Sequence, residues 1–140
     1  MSETLLRIGT IYLPVQNVKV SSQWYVEKLG AKLNYHDGEK AILDFANLSF
    51  FLVRAQEGQK ANFIDANNHE RFSITFEVNG LEALKLIHKE FKEKGILTSE
   101  IENRGHAGKN FVFSDLDGNQ FDVWSELSPV FKEKYLLTEY

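Results

Sequence analysis

The stretch FSDLDGNQFDVW, residues 113–124, carries three acids within eight positions, Asp115, Asp117 and Asp122, with a Gly-Asn pair between them. Clustered carboxylates can hold a divalent cation, and this spacing invites comparison with a calcium loop. Asp115, Asp117 and Asn119 would fill its first, third and fifth positions and Glu126 its twelfth. The sixth position, where such a loop turns on glycine, is Gln120, and the flanking NFVF and QFDVW alternate like strands rather than helices. The calcium reading fails. A tight turn between two strands fits better, with Gly118 at positive φ and the short acids accepting from nearby backbone N–H groups. Asp122 stands apart, inside the second strand between Phe121 and Val123. With those two facing a helix, Asp122, Gln120 and Trp124 face the other way.

Other reactive groups are sparse. Cysteine is absent, which removes disulfides, thiolate ligands and a cysteine nucleophile together. The four histidines, His36, His69, His88 and His106, share no i, i+2 or i, i+4 spacing. His69 and His106 fall on loops able to fold over a site; His36 and His88 read as surface or capping residues. No serine has a nucleophile-elbow context. RGHAGKN, residues 104–110, has no phosphate-loop pattern, and its Arg104 and Lys109 read as solvated cations that could meet an anion. No catalytic residue, metal ligand set or cofactor is assigned on these grounds.

The elements that must position Asp122 come in two similar halves. In RIGTIYLPV, Ile11, Leu13 and Val15 alternate with Thr10, Tyr12 and Pro14 as in a strand. Asn17 opens a helix with Val18, Ser21, Tyr25 and Leu29 on one face, and Gly30 ends it. Strands AKLNYHD, KAILDFA and LSFFLVRA follow, joined at Asp37-Gly38 and Ala46-Asn47. Residues 57–70, polar and turn-rich, read as a linker. RFSITFEV is then a strand. Asn79 and Glu82 form a capping box for a helix buried along Leu81, Leu84, Ile87 or His88, and Phe91, ending at Gly95. ILTSEIE, NFVFSD and QFDVWSE complete the second half. The helix-ending glycines are 65 apart (95 − 30) and the strand-ending valines Val15 and Val78 are 63 apart (78 − 15), the mark of a duplicated βαβββ unit.

This order, with V-x-N before a first helix carrying WY near its end, LG after it, and D-x-D-G-N-x-F-D late in the chain, resembles the vicinal-oxygen-chelate superfamily over residues 5–126. That superfamily includes glyoxalase I, bleomycin-binding resistance proteins, fosfomycin-resistance enzymes and extradiol dioxygenases. The resemblance implies an α+β fold: two tandem βαβββ modules (about 5–56 and 71–126) forming a curved mixed sheet around a cleft, helices outside, in a single domain spanning 1–140. In metal-dependent members the equivalents of Thr10, Phe50, Ser73 and Asp122 would be ligands. Phe50 is placed by matching Ala46-Asn47 to Gly118-Asn119. Only Asp122 retains a strong donor, since a neutral hydroxyl is a poor ligand and phenylalanine cannot coordinate. Asp122 then reads as the remnant of a lost site.

The inward residues expected of the first module are Thr10, Tyr12, Leu48, Phe50 and Leu52. Those of the second are Ser73, Thr75, Glu77, Gln120, Asp122 and Trp124. Apolar and aromatic walls with a few polar groups suit a small organic molecule. Trp124, Phe50 and Tyr12 could stack on a flat or cationic ligand, with Asp122 and Glu77 supplying negative charge. Two readings of Asp122 and Trp124, pocket wall or core filler, stay open, and Glu77 reads as solvated. The leading expectation is a metal-independent binding protein for a hydrophobic or aromatic ligand, in the manner of antibiotic sequestration. The alternatives are a metal-dependent lyase, isomerase or dioxygenase using Asp122 with a loop histidine, and an interaction module with a plugged cleft.

Composition narrows the partners. Sixteen basic and 20 acidic residues, well mixed, give a net charge of −4 and no basic stripe for nucleic acid. No apolar run approaches a membrane span, and the acidic, proline-interrupted start is unlike a signal peptide. A cytoplasmic protein is the expectation. Val130, Phe131, Tyr135, Leu136 and Leu137 predict a short docked helix at the tail, and the resemblance implies a homodimer.

Overall fold

Local sequence sets the first helix. In the computed structural model, which describes residues 2–136 (the side chain of Leu136 excepted), Asn17 Oδ1 accepts from the N–H of Val20 at 3.0 Å and opens α1, Val18–Leu29. Gly30 closes it at φ 73°, its N–H and that of Ala31 donating to Val26 and Tyr25 carbonyls. This glycine-dependent stop is the one expected from sequence.

The chain divides into two units, the first running to Ala61 and the second starting at Asn62. In the first, β1 (Thr10–Val15), β2 (Lys32–His36), β3 (Lys40–Phe45) and β4 (Leu48–Arg54) form a sheet of order β1-β4-β3-β2. β1 and β4 run parallel and the other neighbours antiparallel. Ala46 and Asn47, both at positive φ, make the two-residue turn between β3 and β4. One sheet face, with Leu13, Val15, Ala41, Leu43, Phe50 and Leu52, is buried. Phe50 stacks on Phe45, which leans on Tyr25 of α1, so this is the face the helix covers.

The second unit repeats the plan with differences. β7 (Thr75–Glu77), β8 (Asn110–Ser114) and β9 (Gln120–Trp124) form a sheet of order β7-β9-β8, with β7 parallel to β9 and β8 antiparallel to it. α2, Leu81–Glu93, covers one face through Phe91 and His88 against Phe111 and Phe113; Phe113 packs in turn on Phe121. His88 is thus a core residue, its Nε2 2.8 Å from the Ser99 carbonyl. Gly95 at φ 76° stops the helix as expected.

Several expectations give way. α2 is capped by Gly80 with no side-chain bond, not by an Asn79–Glu82 box. The Gly80 N–H donates to the Ser125 carbonyl, which fixes the turn one residue later. ILTSEIE is not a strand but touches β8 at two isolated bridges, Thr98 to Phe113 and Glu102 to Asn110. Between them Ser99 Oγ accepts from the Val112 N–H, a side chain interrupting the backbone ladder. The linker contains a small hairpin, β5 (Phe63–Ile64) with β6 (Glu70–Arg71). At the tail, Pro129–Phe131 forms a single turn, α3, continuing as a π-type turn over Lys132–Leu136. Val130 is 76% exposed there, so it is not part of a docked face, and Leu137 lies outside the described residues.

The acidic stretch is a hairpin. Asp115 Oδ1 accepts from the N–H groups of Asp117 and Asn119, both at 2.9 Å, and its Oδ2 from Asn119 Nδ2 at 2.9 Å. Gly118 sits at φ 84°. Asn62 clamps the far side, donating to the Gly118 carbonyl and accepting from the Gln120 N–H. Asp115 and Asn119 are buried, so these bonds replace water. Asp115→Ala should therefore lower unfolding free energy by about 3 kcal/mol in urea titration, and Asp115→Asn by less.

The β2–β3 turn makes a second, exposed carboxylate cluster. Asp37 accepts from the N–H groups of Glu39 and Lys40 and from the Tyr35 hydroxyl. The Glu39 amide most of all, then Tyr35, holds its carboxyl well below the usual carboxylate range, and Asp37 in turn raises the Tyr35 hydroxyl. A depressed folded pKa stabilises above the unfolded value and is lost as pH falls through the folded one. Wild type and Asp37→Asn should differ in urea midpoint at neutral pH and converge on strong acidification.

Candidate functional site

The open face of the second sheet is built by alternation. Phe121 and Val123 face α2, so Gln120, Asp122 and Trp124 take the opposite side, as the sequence predicts. The register sets Thr75 and Val112 on either side of Asp122, and Glu77 and Asn110 on either side of Trp124.

Asp122 is the centre of this face. Its side chain is 4% exposed, and its Oδ2 accepts from Thr75 Oγ1 at 3.0 Å and Asn110 Nδ2 at 2.9 Å. Arg104 Nη1 lies 3.1 Å from Oδ1. The approach is angled away from a hydrogen bond, so Oδ1 receives charge but no directed donor, and Asn110 Oδ1 is likewise without one among the described residues. Arg104 is held on other sides too. Its Nε lies 3.2 Å from Glu102 Oε2, and its guanidinium carbon is 5.6 Å from the Phe72 ring centre.

The loop that delivers Arg104 is pinned. Trp124 Nε1 donates to the Ala107 carbonyl at 2.9 Å, and the His106 ring meets the Trp124 ring edge-on. The Lys109 N–H donates to Ser125 Oγ at 2.8 Å. Gly108, at φ 74°, passes so close that an added Cβ would lie 2.6 Å from Ser125 Oγ and 2.8 Å from Trp124 Nε1. Glycine is the residue this approach tolerates. The loop is thus not a solvated flap, and Arg104 is not a solvated cation.

The remaining expected residues separate. Ser73 and Thr75 are exposed, and Gln120 and Trp124 half-buried. Glu77 is not solvated as expected; both its oxygens serve Ser128, at the start of α3. In the first unit, Thr10 and Tyr12 lie on the open face, Tyr12 64% exposed. Phe50 and Leu52 do not join them. Both are completely buried on the helix-covered side, where Leu43 pairs with Phe50 and Leu13 with Leu52. The partners of Thr10 and Tyr12 on β4 are Ser49 and Phe51. Leu48 lines a shallow groove of about 410 Å³ at the β3–β4 turn, beside Arg7 and Asn47.

This corrects the match between halves. Tyr12 and Thr75 each precede their strand-ending valine by three positions, and they pair with Phe51 and Asp122 respectively. The counterpart of Asp122 is therefore Phe51. The error came from equating a two-residue turn, Ala46-Asn47, with the end of a five-residue one, 115–119, which slips the face by one. Across the first sheet, Tyr12, Phe51, Ile42 and Tyr35 form one open row, with Tyr12 and Phe51 rings 5.0 Å apart. Phe51 was detectable by counting from the turn. Arg104 and Asn110 carry no signal of their own, because what singles them out is a contact across the fold.

A metal does not fit the residues present. Phenylalanine replaces a ligand whether Phe50 or Phe51 is meant, and the remaining partners of Asp122 offer a hydroxyl, an amide and a cation. The guanidinium takes the place a cation would need. Among the described residues no three His, Asp or Glu side chains gather as a metal-holding group.

The fold has many solved relatives. A lactoylglutathione lyase from Agrobacterium tumefaciens superposes with TM-score 0.68 at 14% identity, covering 88% of this chain and 96% of its own. An antibiotic binding protein from Streptomyces sp. CB03234 gives 0.67 at 16%, covering 90% and 100%. A fosfomycin resistance protein from Listeria monocytogenes gives 0.67 at 14%, covering 90% and 96%. At these identities the likeness is one of fold. No curated protein matches in sequence. The family model described as Glyoxalase/Bleomycin resistance protein/Dioxygenase superfamily matches residues 7–123, most of the chain, and the protein belongs to that superfamily.

Proposed function

We propose that this protein is a small-molecule-binding member of the superfamily that works without a metal, receiving a hydrophobic or aromatic ligand. The observation that carries this reading is the Arg104–Asp122 pair. The acid at the superfamily's ligand position is paired with a cationic side chain of the same unit, 3.1 Å away, and among the described residues no three His, Asp or Glu side chains gather as a metal-holding group. A buried carboxylate needs one compensating cation, and two do not fit in the same place. Each unit by itself offers an aromatic surface for an apolar ligand: exposed Tyr12 with half-buried Phe51 in the first, half-buried Trp124 in the second. Thr10 in the first unit, and Ser73, Thr75 and Gln120 in the second, are the polar groups that could orient a ligand on their own unit. An antibiotic binding protein among the solved relatives is consistent with sequestration as the role. No helix among the described residues is long and apolar enough to cross a membrane. In this reading the protein acts in the cytoplasm, with which the absence of cysteine is compatible, and as a homodimer, as the superfamily resemblance implies.

Calorimetric screening of flat aromatic compounds should find a stoichiometric ligand whose affinity stays within about twofold after exhaustive chelation. A ligand whose binding vanishes with the chelator and returns with zinc, manganese or iron would refute the reading.

The ion pair makes a second prediction. Arg104→Met leaves Asp122 buried with its two neutral donors only, and should cost about 3 kcal/mol in chemical denaturation. Asp122→Asn should cost less, because Arg104 keeps Glu102 and reaches water. The double variant Arg104→Met/Asp122→Asn should recover at least about 1 kcal/mol relative to Arg104→Met.

A further inference from the structure

We infer that Arg104 is the ligand-recognising residue of the second unit, and that the group it recognises is a neutral oxygen acceptor of the carbonyl class. The inference rests on the small-molecule reading above and adds the chemistry of the ligand.

The guanidinium has three nitrogens. Nε donates to Glu102 and Nη1 lies against Asp122 as an ion pair, while Nη2 has no partner among the described residues. It is also not among the sealed, unsatisfied buried atoms, which are the oxygens of Asn110 and Asp122, so Nη2 meets solvent. The Arg104 side chain as a whole is 26% exposed. One donor edge is thus offered outward from a group fixed by Phe72, Glu102 and Asp122. The loop carrying it is itself fixed by Gly108 and by the bond from Trp124 to Ala107. A donor held in place loses little freedom when an acceptor arrives, which favours recognition.

Charge selects among acceptors. One guanidinium faces two carboxylates, Asp122 at 3.1 Å and Glu102 at 3.2 Å. Asp122 Oδ1 is moreover buried and lacks a directed donor among the described residues. A ligand carboxylate or phosphate would add a third negative charge, whereas a ketone, amide or quinone oxygen accepts from Nη2 without that repulsion. A cationic ligand would have to approach the guanidinium itself. The neutral carbonyl is the class that satisfies both constraints.

Three probes on one ring test this: 2-acetylnaphthalene, 2-ethylnaphthalene and 2-naphthoate, titrated calorimetrically against wild type and Arg104→Lys. Lysine keeps a cation for Asp122 and loses the outward edge. Wild type should bind the acetyl compound about tenfold more tightly than the ethyl compound, as one net hydrogen bond warrants, and at least as tightly as the naphthoate. In Arg104→Lys the acetyl-over-ethyl preference should fall to within about twofold. In labelled wild-type protein the Arg104 side-chain N–H resonances should shift with the acetyl compound and not with the ethyl one, a readout independent of any variant's stability. Equal binding of acetyl and ethyl compounds to wild type would overturn the role of Arg104 while leaving the binding-protein reading intact. Tighter binding of naphthoate would overturn the neutral-acceptor class. If none of the three binds, this inference falls, while the binding-protein reading is decided separately by the wider calorimetric screen.

Discussion

A carboxylate shut away from water has to find its counter-charge within a few ångströms, or the fold bears several kcal/mol of uncompensated burial. Asp122 meets that demand with Arg104 on one oxygen and Thr75 and Asn110 on the other. The surroundings of Arg104 follow from this need. The guanidinium must be delivered by a loop that cannot drift. The close passage of Gly108, the indole bond to Ala107 and the amide of Lys109 on Ser125 are the contacts that hold it. Trp124, attractive from sequence as a stacking surface, spends its one polar group on that loop.

The same duplicated plan carries different chemistry in its two copies. In each unit a parallel pair and an antiparallel pair share a central strand, and a helix covers one face. On the uncovered side the first unit presents a row of aromatic and aliphatic side chains, Tyr12, Phe51, Ile42 and Tyr35. The equivalent row of the second unit has Thr75 where the first has Tyr12, and Asp122 where it has Phe51. In the second unit an arginine from a neighbouring loop supplies the counter-charge of that acid. The cost of the arrangement is two buried oxygens without a directed donor among the described residues, Asn110 Oδ1 and Asp122 Oδ1.

The fold was readable where local rules decide the outcome. Asn17 and Gly30 bracket α1, Gly95 ends α2, and alternation in QFDVW puts Asp122 opposite the helix-facing Phe121 and Val123. Reading failed where register or a tertiary contact decides instead. Matching Ala46-Asn47 to Gly118-Asn119 equates two turns of unequal length and so puts Phe50 and Leu52 on the open face, because a strand's faces exchange with every one-residue slip. The Asn79–Glu82 cap gave way to a backbone bond from Gly80 to Ser125, and ILTSEIE to the Ser99 hydroxyl on Val112. Arg104, alone in a glycine-containing loop, has the local signature of a solvated cation. Its partner lies 18 residues further on (122 − 104), so only the folded loop reveals it.

What neutralises Asp122 decides between a metal-free and a metal-dependent protein. Crystals of the protein grown with millimolar manganese or zinc, with anomalous data collected at the metal edge, address that directly. The expected map has no anomalous peak within coordination distance of the Asp122 carboxylate and shows Arg104 in contact with it. A peak on Asp122 with Arg104 displaced would contradict the account and return the protein to the metal-dependent branch of its superfamily.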